Sequence, residues 1–181
     1  PVACFQHPDW WVKRLQRSLP DVWQSVLEAG NTHPPMGLRI NPRSGSRDEY
    51  QRELQEAGIP AKPIGEDALL LDRPVPVTAL PGFAEGRVSV QDVGAQWAAR
   101  LLGARNGQRV LDACSAPGGK TAHILERADV QLTALDVDSK RLARVRANLD
   151  RLGLKATTAC GDARDLRQWW DGKPFDHILA D

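Results

Sequence analysis

Cysteine, methionine and tyrosine are scarce in this 181-residue chain, at three, one and one. Cys4, Cys114 and Cys160 are odd in number and far apart, which argues against a disulfide frame and for reduced thiols in a cytosolic protein. The four histidines never fall at metal-ligand spacing with them, so no metal site is expected. No apolar run approaches the roughly 20 residues of a membrane-crossing helix, and the N-terminus carries no signal-peptide pattern. A formal charge of +1 supplies no global field to draw in a polyanion, so a nucleic-acid partner would need a local basic patch. The chain opens at Pro1 and stops on "FDHILAD", a strand pattern that would leave a parallel sheet unfinished. Further residues are therefore expected at both ends of the natural protein.

What is present falls into three blocks, 1–30, 31–90 and 91–181. The first is helical. Trp11, Leu15 and Leu19 recur at helical spacing, as do Val22, Trp23, Val26 and Leu27, with Gly30 as a C-cap. The second is a small α/β unit. "LRI" at 38–40, "ALLLD" and "GRVSV" read as strands, and Ser46 with Glu49 forms the S-x-x-E capping box of a helix that closes on Gly58. The third alternates strand and helix. "RVLDAC", "QLTALDV", "KATTACGD" and "FDHILAD" are the strands, "KTAHILER" and "SKRLARVRANLDRLG" the main helices. Leu142, Val145, Leu149 and Leu152 share one face of the longer helix. Such alternation predicts a parallel sheet whose ligand lies beyond the C-terminal strand ends.

Two ligand classes compete for the loop "CSAPGGKT" at 114–121. A triphosphate loop has the form G-x-x-x-x-G-K-[ST], and here the first glycine is Cys114, while Pro117 removes a backbone donor. The acidic residues decide further. Asp136 closes a strand at about the 20-residue spacing from the loop at which a ribose is held. Asp162 and Asp181 end the next two strands. Three carboxylates would repel a triphosphate, whereas they suit ribose hydroxyls, an adenine amine and a sulfonium cation. S-adenosyl-L-methionine satisfies all three requirements. Gly118 and Gly119 would let the backbone approach it closely. Lys120 would hold the loop or cap the helix; Cys114 reads as small apolar packing beside the ligand rather than a nucleophile. His123 and His177 read as packed side chains.

The stretches "LDACSAPGGKTAHILE", "ALDVDSKRLARVRANLDRLG", "GDARD" and "FDHILAD" resemble the successive motifs of the RNA (cytosine-5)-methyltransferases, most closely the RsmB/Sun (Fmu) type that acts on 16S ribosomal RNA. The upstream "HPPMGLRINPRSGSRDEYQRELQEAGI" and "ALPGFAEGRVSVQDVGAQ" resemble the small domain of that group, and "HPDWWVKRLQRSLPDVWQSVLEAGN" the helical segment before it. The resemblance implies a Rossmann-like, S-adenosylmethionine-dependent methyltransferase core, C-terminally truncated, behind a small α/β domain and the tail of an RNA-binding helical region. It implies methylation of C5 of a cytidine in 16S ribosomal RNA. Cys114, Ser115, Ala116, Pro117, Gly118, Gly119 and Lys120 would bind the cofactor, Asp136 its ribose and Asp162 its adenine. Asp181 would stand near the methyl group and the target base. The family's nucleophilic cysteine belongs to a later "T-C-S" motif, so no catalytic cysteine is expected within residues 1–181 and the fragment alone is expected not to turn over. Rival expectations are the same chemistry on tRNA or another rRNA site, and a non-catalytic RNA-binding or ribosome-assembly factor. Arg39, Arg43, Arg47 and Arg52 cluster in the small domain and could meet RNA phosphates, although a solvated helix face explains Arg47 and Arg52 equally well.

Overall fold

The computed structural model describes residues 5–181; Cys4 lies outside the described residues. The chain divides into two compact units at Pro35 and Met36.

The first unit is a helical pair, α1 (Asp9–Ser18) and α2 (Trp23–Gly30). Val12, Leu15 and Leu27 form its core, with Phe5, Trp11 and Trp23 packed around them. Leu19 does not join it. The helix stops at Ser18, because Pro20 disfavours α conformation at the residue before it, and Leu19 is 43% exposed. Val22 and Val26 are exposed as well. Gly30 remains inside α2 rather than capping it, and Asn31 ends the helix in right-handed conformation.

The second unit holds two sheets. Strands β1 (Met36–Ile40), β2 (Ala61–Ile64), β3 (Ala68–Leu71) and β4 (Val88–Val90) pair antiparallel in the order β2-β3-β1-β4. Helix α3 (Arg47–Glu56) packs on them, burying Tyr50 and Leu54 against Leu38, Ile40, Leu69 and Val88. Its start is the capping box: Ser46 N–H donates to Glu49 Oε2 at 2.8 Å and Glu49 N–H to Ser46 Oγ at 3.3 Å. Strand β2 has no sequence signal. "AKPI" contains a proline and shows no alternation, and it survives only as an edge strand, where a missing N–H is tolerated.

Four strands, β5 (Arg109–Asp112), β6 (Gln131–Asp136), β7 (Thr157–Cys160) and β8 (His177–Leu179), make a parallel sheet in the order β7-β6-β5-β8. Helices α4 (Val93–Leu102), α5 (Gly119–Arg127) and α6 (Ser139–Arg151) belong to the same layer system. Leu142, Val145, Leu149 and Leu152 of the α6 stripe meet Val110, Leu132, Ala134 and Ile124 in one core. The architecture is mixed α/β with a Rossmann-like parallel sheet. From β5 the chain runs outward through β6 to β7, then returns to the other side of β5 at β8. The order reverses between β5 and β8, and ligands of such sheets bind at that reversal. Among the described residues no helix is long and apolar enough to cross a membrane.

Candidate functional site

The loop between β5 and α5 rises at this reversal. Asp112 ends β5, is buried, and accepts from Thr121 Oγ1 at 2.6 Å; burial pushes its carboxyl above the usual range. Ser115 N–H donates to the Leu135 carbonyl at 2.9 Å, tying the loop to β6. Ala116 N–H donates to Asp136 Oδ2 at 3.2 Å, and Asp138 N–H to Asp136 Oδ1 at 3.0 Å. The Asp136 carboxylate is thus buried beneath the loop and braced by two amides. It retains acceptor capacity, since an ionised carboxylate offers about four lone-pair directions. Arg141, in the first turn of α6, donates to the Ala116 carbonyl at 3.0 Å and lies 3.6 Å from Asp136 Oδ1.

The remaining acids flank this centre. Lys120 forms an ion pair with Asp181, which follows β8. Asp162 follows β7 and is occupied by Arg164, whose side chain and amide hold its carboxyl down to about 2. Cys114 and Pro117 are exposed on the loop, and Ser115 is buried with its Oγ unpartnered. The structure therefore gathers Lys120, Asp136 and Asp181 around the loop, and sets Asp162 beyond the neighbouring strand with a cation already on it. Asp112, Thr121 and Arg141 also belong to this site, beyond the residues that the sequence pointed to. Asp112 had a signal, being an acid at a strand end like the other three.

Gly118 meets a structural demand besides any ligand approach. Its φ is +100°, and a Cβ there would stand 3.1 Å from the Val145 Cα, so glycine is required by the turn and by packing on α6. Of the four arginines raised for RNA phosphates, Arg39 is buried and paired with Glu126, Arg43 reaches Asp129 and Arg47 holds Asp48, while Arg52 stays exposed.

His123 in α5 is buried with Nδ1 unpartnered. Burial, with Arg39, Arg127 and Arg100 nearby, pushes its imidazole down to about 3. The folded chain keeps it neutral while the unfolded chain protonates it near the ordinary histidine value of about 6.5. Below that value the unfolded state binds the extra proton, so stability falls as pH falls and the fall ends only near the folded value. Between pH 7 and about pH 5.5 the protein is expected to lose about 1 kcal/mol more than a His123→Asn variant, read from urea midpoints. Parallel losses in the two proteins would refute this.

A groove lined by Arg109, Gln131, Thr157, Trp169 and Phe175 opens at the N-terminal strand ends, away from these acids. Among the described residues no group of three or more histidine, cysteine or acidic side chains is arranged to hold a metal ion.

A parallel sheet with this reversal, this loop and acids on its C-terminal edge defines a Rossmann-like methyltransferase fold. Comparison with known proteins narrows the class. Residues 7–78 match the ferredoxin-like domain of RsmF/B-like methyltransferases, and residues 99–181 match the 16S rRNA methyltransferase RsmB/F description. The chain belongs to the RsmB/F methyltransferase family. It is 52% identical over 180 residues to ribosomal RNA small subunit methyltransferase B of Vibrio cholerae, covering 98% of this chain and 42% of that one. The Pseudomonas syringae protein of the same name is 51% identical, covering 100% and 41%. A solved methyltransferase homologue from Pyrococcus horikoshii superposes with a TM-score of 0.81 at 26% identity, over 99% of this chain and 60% of its own. The chain thus spans about two fifths of the length of these curated relatives.

Proposed function

We propose that this chain forms the S-adenosyl-L-methionine-holding part of a cytoplasmic enzyme that methylates C5 of a cytidine in 16S ribosomal RNA. The observation that carries the cofactor assignment is the Asp136 carboxylate, buried under the loop and fixed by the Ala116 and Asp138 amides with acceptor positions left over. A sulfonium-borne methyl group supplies the electrophile when the cofactor is bound. The chain's own residues hold and orient. Asp136 accepts from ribose hydroxyls, and the backbone of Cys114 to Lys120 lines the cradle. Asp162 accepts from the adenine amine, sharing its oxygens with Arg164. Asp181, steadied by Lys120, stands at the β8 end, where the target base would enter. The exposed thiols of Cys114 and Cys160 have no nucleophilic role in this reading.

Calorimetry with S-adenosylmethionine and with ATP tests the ligand class. Binding of the former alone is expected, and binding of ATP alone would overturn the reading. Asp136→Ala also strips the loop amide of its acceptor, so Asp136→Asn is the cleaner probe. It should weaken cofactor binding by about 1.5–3 kcal/mol, the range for a hydrogen bond to a charged group. An unchanged dissociation constant would remove Asp136 from the site.

A further inference from the structure

Arg39 belongs to β1, in the interior of the first sheet, yet two of its three side-chain partners, Gly119 and Glu126, belong to helix α5. Its side chain and that of Glu126 are both 0% exposed. Nε and Nη2 donate to Glu126 Oε2 and Oε1 at 2.8 and 2.7 Å, a two-pronged ion pair. Nη1 donates to the Gly119 carbonyl at 2.9 Å and to Gln91 Oε1 at 2.5 Å. Gly119 and Glu126 stand at opposite ends of α5, so one flat cation spans two turns of that helix. A guanidinium enclosed this fully needs acceptors for its remaining donors. The one that α5 offers to Nη1 is the carbonyl of Gly119, the residue at which the 114–120 loop becomes helix. Gln91 follows β4, and its Nε2 lies 3.8 Å from where a Cβ on Gly119 would sit. The exit of the loop is therefore referenced to the first sheet through a rigid planar group rather than through its own flexible backbone.

We infer that Arg39 is a positioning residue for the cofactor loop, setting the direction of its amides before any ligand arrives. The inference rests on the S-adenosylmethionine reading for its consequence, since a preset loop lowers the ordering cost of binding. Lysine cannot replace arginine in this role. Its single ammonium can meet Glu126 but has no fork to reach Gly119 at the same time.

The test separates positioning from stability. In the whole 181-residue chain, Arg39→Met/Glu126→Met replaces the ion pair by apolar groups of similar size and leaves no orphaned charge, which preserves folding. Arg39→Lys keeps the charge balance and serves as the second variant. Three quantities are read: the urea midpoint, the S-adenosylmethionine dissociation constant, and ligand-free hydrogen exchange at the amides of Gly118 to Ala122. Expected are a midpoint near that of the wild type, binding about tenfold weaker, the scale of one lost hydrogen bond to a charged group, and faster exchange at those amides. Wild-type affinity and exchange in both variants would overturn the inference. If the wild-type chain binds no S-adenosylmethionine, the cofactor reading falls. The exchange rates then decide alone: acceleration upholds positioning, and unchanged rates end it.

Discussion

Glu126→Leu is expected to destabilise the protein by about 3–5 kcal/mol, the cost of leaving one member of a buried ion pair without its partner. The site explains the size. Arg39 cannot rotate to water, because its side chain is fully enclosed between β1 and α5. Burial pushes the Glu126 carboxyl upward, and the adjoining Arg39, with Arg151 and Arg43 farther off, opposes that shift. Removing the carboxylate leaves the buried Arg39 guanidinium without an anionic partner. Gln91 and the Gly119 carbonyl still accept from Arg39, but neither carries charge. Urea denaturation of wild type and variant measures the loss. A change below about 1 kcal/mol, the scale of a solvent-exposed pair, would mean that water reaches Arg39 and that the two sheets are less tightly joined.

Adjacent glycines should respond in opposite ways. Gly118→Ala is expected to cost about 3 kcal/mol, part backbone strain at a φ of +100° and part overpacking. The new methyl would meet the Val145 Cα at 3.1 Å, and backbone in a buried helix has little room to yield. Gly119→Ala meets nothing closer than 3.8 Å, the Gln91 amide nitrogen, and sits at the first position of α5. That substitution should be neutral or stabilising by up to about 1 kcal/mol, because alanine gives up less backbone freedom than glycine. Thermal denaturation of the two variants side by side checks the contrast. Equal effects would show that the Gly-Gly step is governed by something other than α6.

The elements that were legible in the sequence were those whose signal is local. The strand–helix alternation after residue 105, the α6 stripe and the Ser46–Glu49 box each depend on residues within a few turns of one another. The acids at the strand ends were also visible, because each follows a segment that reads as a strand. The pairing between distant segments was hidden. Arg39 in "MGLRI" looks like the polar member of an alternating strand, and nothing local announces a carboxylate 87 residues away. Arg164 lies two residues from Asp162, but spacing alone did not reveal that its guanidinium would cover the carboxylate. Leu19 failed for a local reason that the pattern overlooked: the following proline ends the helix before the apolar stripe is complete.

The outer rim of the first sheet has a consequence for how the protein behaves in a crowd of identical molecules. The Ala61 carbonyl is capped by the Gln51 side chain at 3.1 Å, and its register mate along the same rim is Pro63, which has no hydrogen to donate. Between them Lys62 stands mostly in water, paired with Asp72. An incoming strand would find one acceptor already taken and one donor absent. That rim is thereby a poor template for strand addition, which works against fibril-like stacking on this side.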